Sequence, residues 1–360
     1  MEDSSYVVTG ASSSFGNESS QAFLMQIDSM GNYMWSKSYG GSESESGRRV
    51  LYKKNFGYFI CGYTNSYGAG GFDFYLAKVD ESANIEWENT YGGTGWDRIN
   101  DAALTRDTGT LLVGEMSSNE TNNLDIYIVR TDILGDTLWT KTIGGMGDDK
   151  ASCILKYTDS TYFIGGEYYL EDSIHTKGYM MYLKDDGTVF WEITFGDNGD
   201  YWVNDLAFDS SNPDRIIAVG GVKNPLENIN SCRFYIYNNG VIESEYFDPT
   251  LGEDYFSKIT NFGNNGDYYT SYVYENASSY PFGEDISIHK YNSNWSYQNS
   301  FGMSHAYPDY TGTAGFTGRY LKIHIGDLYK NDVLFTGGSS DWVKTGNDLS
   351  YNSGNVGIGN

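Results

Sequence analysis

Proline is nearly missing from this chain, with five residues in 360. A body built mostly of paired strands requires that scarcity, because proline cannot donate to a β-ladder. Sustained helical periodicity is missing too. Cysteine is reduced to Cys61, Cys153 and Cys232, far apart and on or beside predicted strands. Their odd number and wide spacing give no disulfide framework and no metal motif, so they read as buried thiols acting as small apolar side chains. No apolar run is long enough to cross a bilayer as a helix. Met1 to Ser5 carry no hydrophobic signal region, while strand structure begins almost at once, so a leader or upstream segment is expected outside this chain.

Positive charge is also short, with 23 Lys and Arg against 48 Asp and Glu and a net charge of −25. That balance repels nucleic acid and anionic membrane, and argues against either as a partner. It suits solubility at a cell surface, divalent cations or basic partners. The catalytic motifs Gly-x-Ser-x-Gly, His-Glu-x-x-His, Cys-x-x-Cys and the phosphate loop do not occur. The four histidines, His175, His289, His305 and His324, are scattered, and His289 and His324 fall on predicted strands. Four sequons, at Asn17, Asn119, Asn276 and Asn294, say little in a chain so rich in Asn and Ser.

What the chain has in abundance is a repeat. Trp35, Trp87, Trp139 and Trp191 are each 52 residues apart, and Trp295 lies 104 beyond Trp191. Gly10, Gly62, Gly114 and Gly166 keep the period, as do Phe23, Tyr75, Tyr127 and Tyr179, and Asp28, Asp80 and Asp132. A fixed period of this length means one supersecondary unit copied along the chain. In the third copy, Ala102–Thr105 is a short apolar run and Thr108-Gly109 a turn. Thr110–Val113 is a second strand, Ile126–Thr131 a third and Thr137–Thr142 a fourth. Alternation carries these assignments: Tyr127, Val129 and Thr131 point one way, Ile126, Ile128 and Arg130 the other. Asp132-Ile133-Leu134-Gly135 suits a tight hairpin, since Asp bonds nearby backbone and Gly accepts positive φ.

Four short antiparallel strands in a unit of roughly 40–50 residues make a propeller blade. The fold class is therefore all-β, a β-propeller occupying residues 1–360 as a single domain. The second strand recurs near Val7, Phe59, Leu112, Phe163, Ile217, Tyr269 and Leu334, which predicts seven blades, with six or eight as alternatives. The chain starts in a second strand, so the first blade lacks its innermost one. The Gly- and Asn-rich tail after Trp342 offers one weak strand, Asn355–Ile358. Either that tail closes the ring or the chain is a fragment of a longer one. The 33 tyrosines, many at repeat positions, read as packing between blades.

The segments Gln26–Trp35, Arg130–Trp139 and Tyr182–Trp191 resemble the Asp-x-x-Gly-x-x-x-Trp core of quinoprotein-like propeller repeats. Together with Tyr91-Gly-Gly-Thr-Gly-Trp-Asp97 and Ile143-Gly-Gly-Met-Gly-Asp-Asp149, the chain more closely resembles the repeat propellers of secreted and surface proteins in bacteria and archaea. The likeness is clear over four copies and degraded over the last three. It implies a propeller fold and an extracytoplasmic or cell-surface setting. The quinoprotein enzymes would bring a quinone site with adjacent cysteines. This chain has no such pair and lacks the usual Thr before the turn glycine, so no cofactor carries over.

Glu45, Asp97 and Asp149 keep the 52-residue spacing, and Glu253 falls 104 further on. Each lies in the crossover between blades. One reading is a circle of carboxylates holding Ca²⁺, since hard cations want several carboxylate oxygens. The other is that each acid accepts backbone N–H bonds and pins its own loop. Residues that break the repeat are better ligand-binding candidates, because the fold does not explain them. Two are the off-lattice Trp96 and Trp202, in the same class of crossover loop. The others are His305, Tyr307 and Asp309, within an insertion around Phe301–Gly318. The loops joining second to third strands emerge on the same face. That face points to a non-catalytic extracellular module binding glycan or protein. A structural or adhesive component of a larger surface assembly, and a polysaccharide hydrolase or lyase using His305 and Asp309, are the alternatives.

Overall fold

The structure is a computed structural model. It describes residues 5–13, 19–29, 32–117, 123–170, 175–223, 229–248, 254–262, 267–275, 284–292, 295, 297–303, 342–345 and 348–351. All regular structure in them is β. The first sheet has three strands, β1 (Tyr6–Ser12), β2 (Gln21–Ile27) and β3 (Tyr33–Tyr39). The second holds β4 (Glu45–Lys53), β5 (Gly57–Thr64), β6 (Asp73–Val79) and β7 (Ile85–Tyr91). The third holds β8 (Asp97–Leu104), β9 (Thr110–Ser117), β10 (Leu124–Thr131) and β11 (Thr137–Ile143). In the fourth are β12 (Lys150–Thr158), β13 (Thr161–Tyr169), β14 (Thr176–Lys184) and β15 (Val189–Phe195). The fifth is β16 (Asp200–Phe208), β17 (Arg215–Lys223), β18 (Ile229–Tyr237) and β19 (Ile242–Asp248). The sixth is β20 (Asp254–Phe262), β21 (Asp267–Glu275), β22 (Glu284–Tyr291) and β23 (Tyr297–Met303). A hairpin, β24 (Trp342–Thr345) and β25 (Asp348–Tyr351), follows.

The fold class is thus the expected one, all-β and propeller-type, with each blade strand paired antiparallel to its chain neighbour. Six of the seven predicted second strands are β1, β5, β9, β13, β17 and β21; the one near Leu334 lies outside the described residues, as does Asn355–Ile358. The tail needs a correction. It pairs as a hairpin starting at Trp342 itself, with Trp342 opposite Tyr351.

The chain divides into two compact units. One comprises residues 1–26 and 33–203, the other residues 27–32 and 204–360. In the first, successive sheets pack face to face through their apolar faces. Alternation within β10 splits it between two neighbours. Tyr127 and Val129 join Phe59, Phe74 and Leu76 of the second sheet, while Ile126 and Ile128 join Ile154, Tyr162 and Met181 of the fourth. Neither face of such a strand meets water, so burial comes from both. In the second unit, Ile217, Val219, Phe256, Ile259 and Tyr268 form a comparable layer, with Trp295 packed against it.

The repeated residues now have physical reasons. The innermost strands β4, β8 and β12 shift register at Arg48, Asn100 and Ser152, which are 52 residues apart. A β-bulge re-aims the extra side chain. Here Asn100 Nδ2 donates to Ala151 O of the next sheet at 3.0 Å, and in the second unit Asn204 Nδ2 donates to Phe256 O at 2.8 Å. The neighbouring acids repeat the logic: Ile154 N donates to Asp101 Oδ2 at 3.2 Å, and Ile259 N to Asp205 Oδ2 at 3.1 Å. Opposite the bulge sit Gly62, Gly114 and Gly166. A Cβ there would lie 1.9, 1.9 and 1.8 Å from the carbonyl oxygens of Ser46, Arg98 and Lys150, which explains the glycine lattice.

The Asp-x-x-Gly-x-x-x-Trp unit is a join between sheets. Trp87 on β7 packs under the turn glycine of the next copy, Gly135, and Trp139 under Gly187. Both glycines have positive φ, 81° and 87°. Tyr39 Oη donates to Ala83 O at 2.9 Å and Tyr91 Oη to Gly135 O at 2.7 Å, tying the same joins. A Cβ on Gly135 would meet Trp87 at 2.6 Å, whereas one on Gly187 would meet Trp139 only at 3.5 Å. Gly187→Ala is therefore expected to cost only the left-handed strain, about 1–2 kcal/mol. Gly135→Ala adds an overpacking cost of about 1–3 kcal/mol. Urea unfolding of the two variants checks this, and equal losses would contradict the join described.

Candidate functional site: an aromatic and arginine patch on the crossover loops

Crossover and second-to-third loops meet on one side of each sheet in the first unit. Glu45 N donates to Ser20 O, Asp97 N to Phe72 O and Asp149 N to Leu124 O, at 2.7, 2.5 and 2.7 Å. The three acids occupy matching places. Glu45 and Asp97 open β4 and β8, and Asp149 immediately precedes β12. All three are buried, at 1%, 0% and 0% exposure. Each accepts the N–H of the residue four before it: Gly41 at 3.1 Å, Gly93 at 2.5 Å and Gly145 at 3.0 Å. The second oxygen reaches the end of the second strand of the same sheet. Asp97 Oδ1 takes Ser117 N at 3.1 Å, Asp149 Oδ1 takes Tyr169 N at 2.6 Å, and Glu45 Oε1 takes Thr64 Oγ1 at 2.7 Å. Among the described residues no three His, Cys, Asp or Glu side chains gather where they could hold a metal ion.

Burial pushes the Asp97 carboxyl above its ordinary range, with the two N–H bonds opposing it. Asp149 is pushed up to about 6 by the same burial, against the N–H bonds of Tyr169 and Gly145. Its neighbour Asp125 is also raised by burial, and Asp125 Oδ1 is buried without a partner.

Trp96 sits in the crossover between β7 and β8 and is 54% exposed. Ser117 fixes its backbone: Trp96 N donates to Ser117 Oγ at 3.0 Å and Ser117 N donates to Trp96 O at 3.0 Å. Phe72, from the β5–β6 loop, meets the indole edge-on at 5.3 Å between centroids, and Tyr63 meets Phe72 at 5.1 Å. Arg98 lies over all three rings, at 4.7 Å from Trp96, 5.3 Å from Phe72 and 5.6 Å from Tyr63. Arg48 lies over Tyr63 at 5.1 Å. Tyr67 is 44% exposed in the same loop as Phe72.

Beneath the rings lies a charge cluster. Glu115 is buried, and burial raises its carboxyl although Asn100, Lys150, Arg98 and Arg48 pull it down. Asn100 Nδ2 donates to its Oε2 at 2.6 Å. Lys150 Nζ pairs with Glu167 Oε1 at 2.9 Å. Tyr63, Glu115 and Glu167 are 52 residues apart, and so are Arg98 and Lys150. The reading of the sequence followed acids and tryptophans and passed over these; the same period could have found them.

The other predicted residues fall elsewhere. Trp202 lies on the innermost strand β16, half-buried, rather than in a crossover loop. It follows Tyr201, which is buried at 3% and takes the position of the crossover acids. The structure brings Trp96 to Arg98. His305, Tyr307, Asp309 and Glu253 lie outside the described residues, as do the four sequons. His175, unassigned from sequence, places Nδ1 3.2 Å from Asp200 Oδ1. His289 is buried on β22. Cys61, Cys153 and Cys232 are free and buried.

No protein-family model and no curated protein matches the chain. Among solved structures it is similar to a protein of unknown function from Bacteroides caccae, at 10% identity over 82% of this chain and 93% of that one, with a TM-score of 0.45. A DUF4221 family member from Bacteroides vulgatus gives 11% identity over 71% and 81%, with a TM-score of 0.38. An endo-1,4-beta-xylanase from Bacteroides thetaiotaomicron gives 12% over 69% and 91%, with a TM-score of 0.32. At these scores the likenesses say nothing about activity.

The buried acids set a pH dependence. Folded Asp149 holds a proton up to about pH 6 that the unfolded chain releases near its ordinary value of 3.8. The folded state binds more protons across that window, so its contribution to stability is largest below it and is lost as pH rises through about 6. Asp149→Asn removes that titration. Urea midpoints at pH 4.5, 5.5 and 6.5 are expected to fall less steeply with pH in the variant; parallel lines would contradict the assignment.

Proposed function

We propose that this chain is a non-catalytic recognition module that binds glycan or protein on the crossover-loop side of its first unit. The observation that carries the reading is Trp96. A tryptophan left 54% exposed, braced by Ser117 on its backbone and by Phe72 and Arg98 on its ring, is held in place without being buried. Large amphipathic rings fixed on rigid scaffolds are what recognition sites use, because little conformational freedom remains to be lost on binding. The extracytoplasmic setting is part of the proposal; the resemblance of the repeats and the acidic balance support it. We take the three crossover acids as loop braces, since backbone N–H groups and Thr64 already occupy their oxygens. Added Ca²⁺ is expected to leave the melting temperature unchanged, and a rise would return them to a cation role.

A second reading, a component of a surface assembly, has one observation behind it. Met34, Leu138, Phe190 and Ile242 are exposed at 47%, 55%, 53% and 38%, and they share the 52-residue period on outermost strands. Self-association at high concentration, read by sedimentation, separates it from the first.

The primary test is a glycan array with wild type, Trp96→Ala and Trp202→Ala. Binding is expected to fall at least tenfold in Trp96→Ala with the melting temperature retained, and to persist in Trp202→Ala. Undiminished binding by a folded Trp96→Ala protein would remove the site.

A further inference from the structure

The geometry points to an acidic sugar as the ligand of this patch: we infer that the exposed indole of Trp96 carries the ring and that Arg98 takes its carboxylate or sulfate. The inference rests on the recognition reading and narrows it.

Arg98 is the reason. Among the described residues its side chain makes no hydrogen bond and no ion pair, and its Nε is buried without a partner. Other arginines here find carboxylates: Arg49 with Asp101 at 3.5 Å, Arg130 with Asp107 at 2.7 Å and Arg215 with Asp209 at 2.5 Å. In a chain with 48 acids, Arg98 is held instead on three aromatic rings, an arrangement that Arg233 shares over Tyr235, Tyr246 and Trp295 in the second unit. Rings engage the face of a guanidinium, while its five N–H donors lie in its plane. The ring cage therefore orients the fork without using it up. A carboxylate or sulfate matches that fork with two parallel bonds.

The surroundings agree. Arg48, only 6% exposed, lies over the same Tyr63 ring, so two like charges converge on one side chain. With Lys150 they make three cations around Glu115, while Glu167 and Asp148 also face Lys150, and burial pushes Glu115 toward its neutral form. The overall charge of −25 does not cancel this island, because screening at physiological salt limits distant charges to about 8 Å. The exposed aromatic surface against Arg98 is one indole, Trp96. That is the footprint of a sugar ring or two rather than of a protein interface, which needs on the order of 800 Å² per partner.

The test is isothermal titration of the full chain with polygalacturonate (carboxylate only), dextran sulfate (sulfate only), hydroxyethyl cellulose (neutral) and polyglutamate. Binding of either acidic polysaccharide, weakening with added salt and at least tenfold stronger than to the neutral polymer, is the expected result, and the two acidic arms say which anion Arg98 takes. Arg98→Gln is expected to lose at least tenfold toward the acidic polymer while its melting temperature holds. If Arg98→Gln loses its fold, Arg98→Lys decides, because it keeps the charge on the rings and removes the fork. A folded Lys variant weakened several-fold supports the inference, and one of unchanged affinity overturns it. Equal binding of neutral and acidic polymers, abolished by Trp96→Ala and untouched by Arg98→Gln, overturns the acidic ligand and leaves the recognition site standing. Binding of polyglutamate alone overturns it in favour of an acidic protein partner. Binding of none of the four polymers overturns it together with glycan recognition.

Discussion

A central strand of one of these sheets has no solvent face. Its odd residues belong to one neighbouring sheet and its even residues to the next, as Tyr127 and Ile126 do. Everything else follows from that constraint. Both faces must be largely apolar, so most polar side chains are left to strand ends, bulges and loops. Burial on each face contributes about 25 cal/mol per Å². It does so only if the next sheet is in place, which ties the stability of each sheet to its neighbours. The joins are accordingly specific. Tryptophan on an outermost strand meets the turn glycine of the next copy, and tyrosine on the same strand bonds that turn's carbonyl.

Where the chain passes from one sheet to the next, its backbone leaves the ladder, and its N–H groups need acceptors. The crossover acids provide them. A buried carboxylate without partners is costly, and two or three N–H bonds compensate for much of that cost. The raised values at Asp97 and Asp149 show that compensation is incomplete. The innermost strands use the same chemistry from one sheet to the next, through the Asn100-Asp101 pair at the β8 bulge and the Asn204-Asp205 pair on β16. Acids are thus spread through the architecture as backbone acceptors, and part of the large negative charge is explained by the fold before any ligand is considered.

The period made the architecture readable. Trp35, Gly62, Tyr75 and Asp80 recur because each sits at a join, a bulge or a turn that must recur. Strand ends moved by up to five residues: Thr110–Val113 became Thr110–Ser117, because the residues after Gly114 turn polar while the ladder continues, and Ala102–Thr105 became Asp97–Leu104. The bulges were not legible, since an extra residue in one strand leaves the 52-residue spacing intact. Of the predicted site residues, Trp96 could be found because it breaks the repeat. The period places Arg98 with Lys150 but does not show what it touches: it looks like one more cation on a strand until the fold brings Phe72 from one loop and Tyr63 from another strand onto it. Trp202 also breaks the repeat, but its position belongs to β16, and a half-buried strand residue answers to packing first.

The repeat also separates structural aromatics from available ones. Trp87 and Trp139 lie at joins, and Trp87 is pinned between Phe59 and the glycine of the next turn. Removing either would open a cavity, so neither is free to meet a ligand. Trp96 has no counterpart at its position: the equivalent residues one and two periods on are Asp148 and Asp200, whose carboxylates accept Leu124 N at 2.9 Å and Thr176 N at 3.0 Å. In those two copies an acid caps the loop. In this copy the place of the acid is taken by an indole, and the next strand carries an arginine that no carboxylate claims. One substitution within the repeat thus removes a negative charge beside Arg98 and adds a ring over it. Where Arg49, Arg130 and Arg215 meet carboxylates, this arginine keeps its side-chain donors unspent, beside a loop position that carries an aromatic surface in place of the acid of the next two copies.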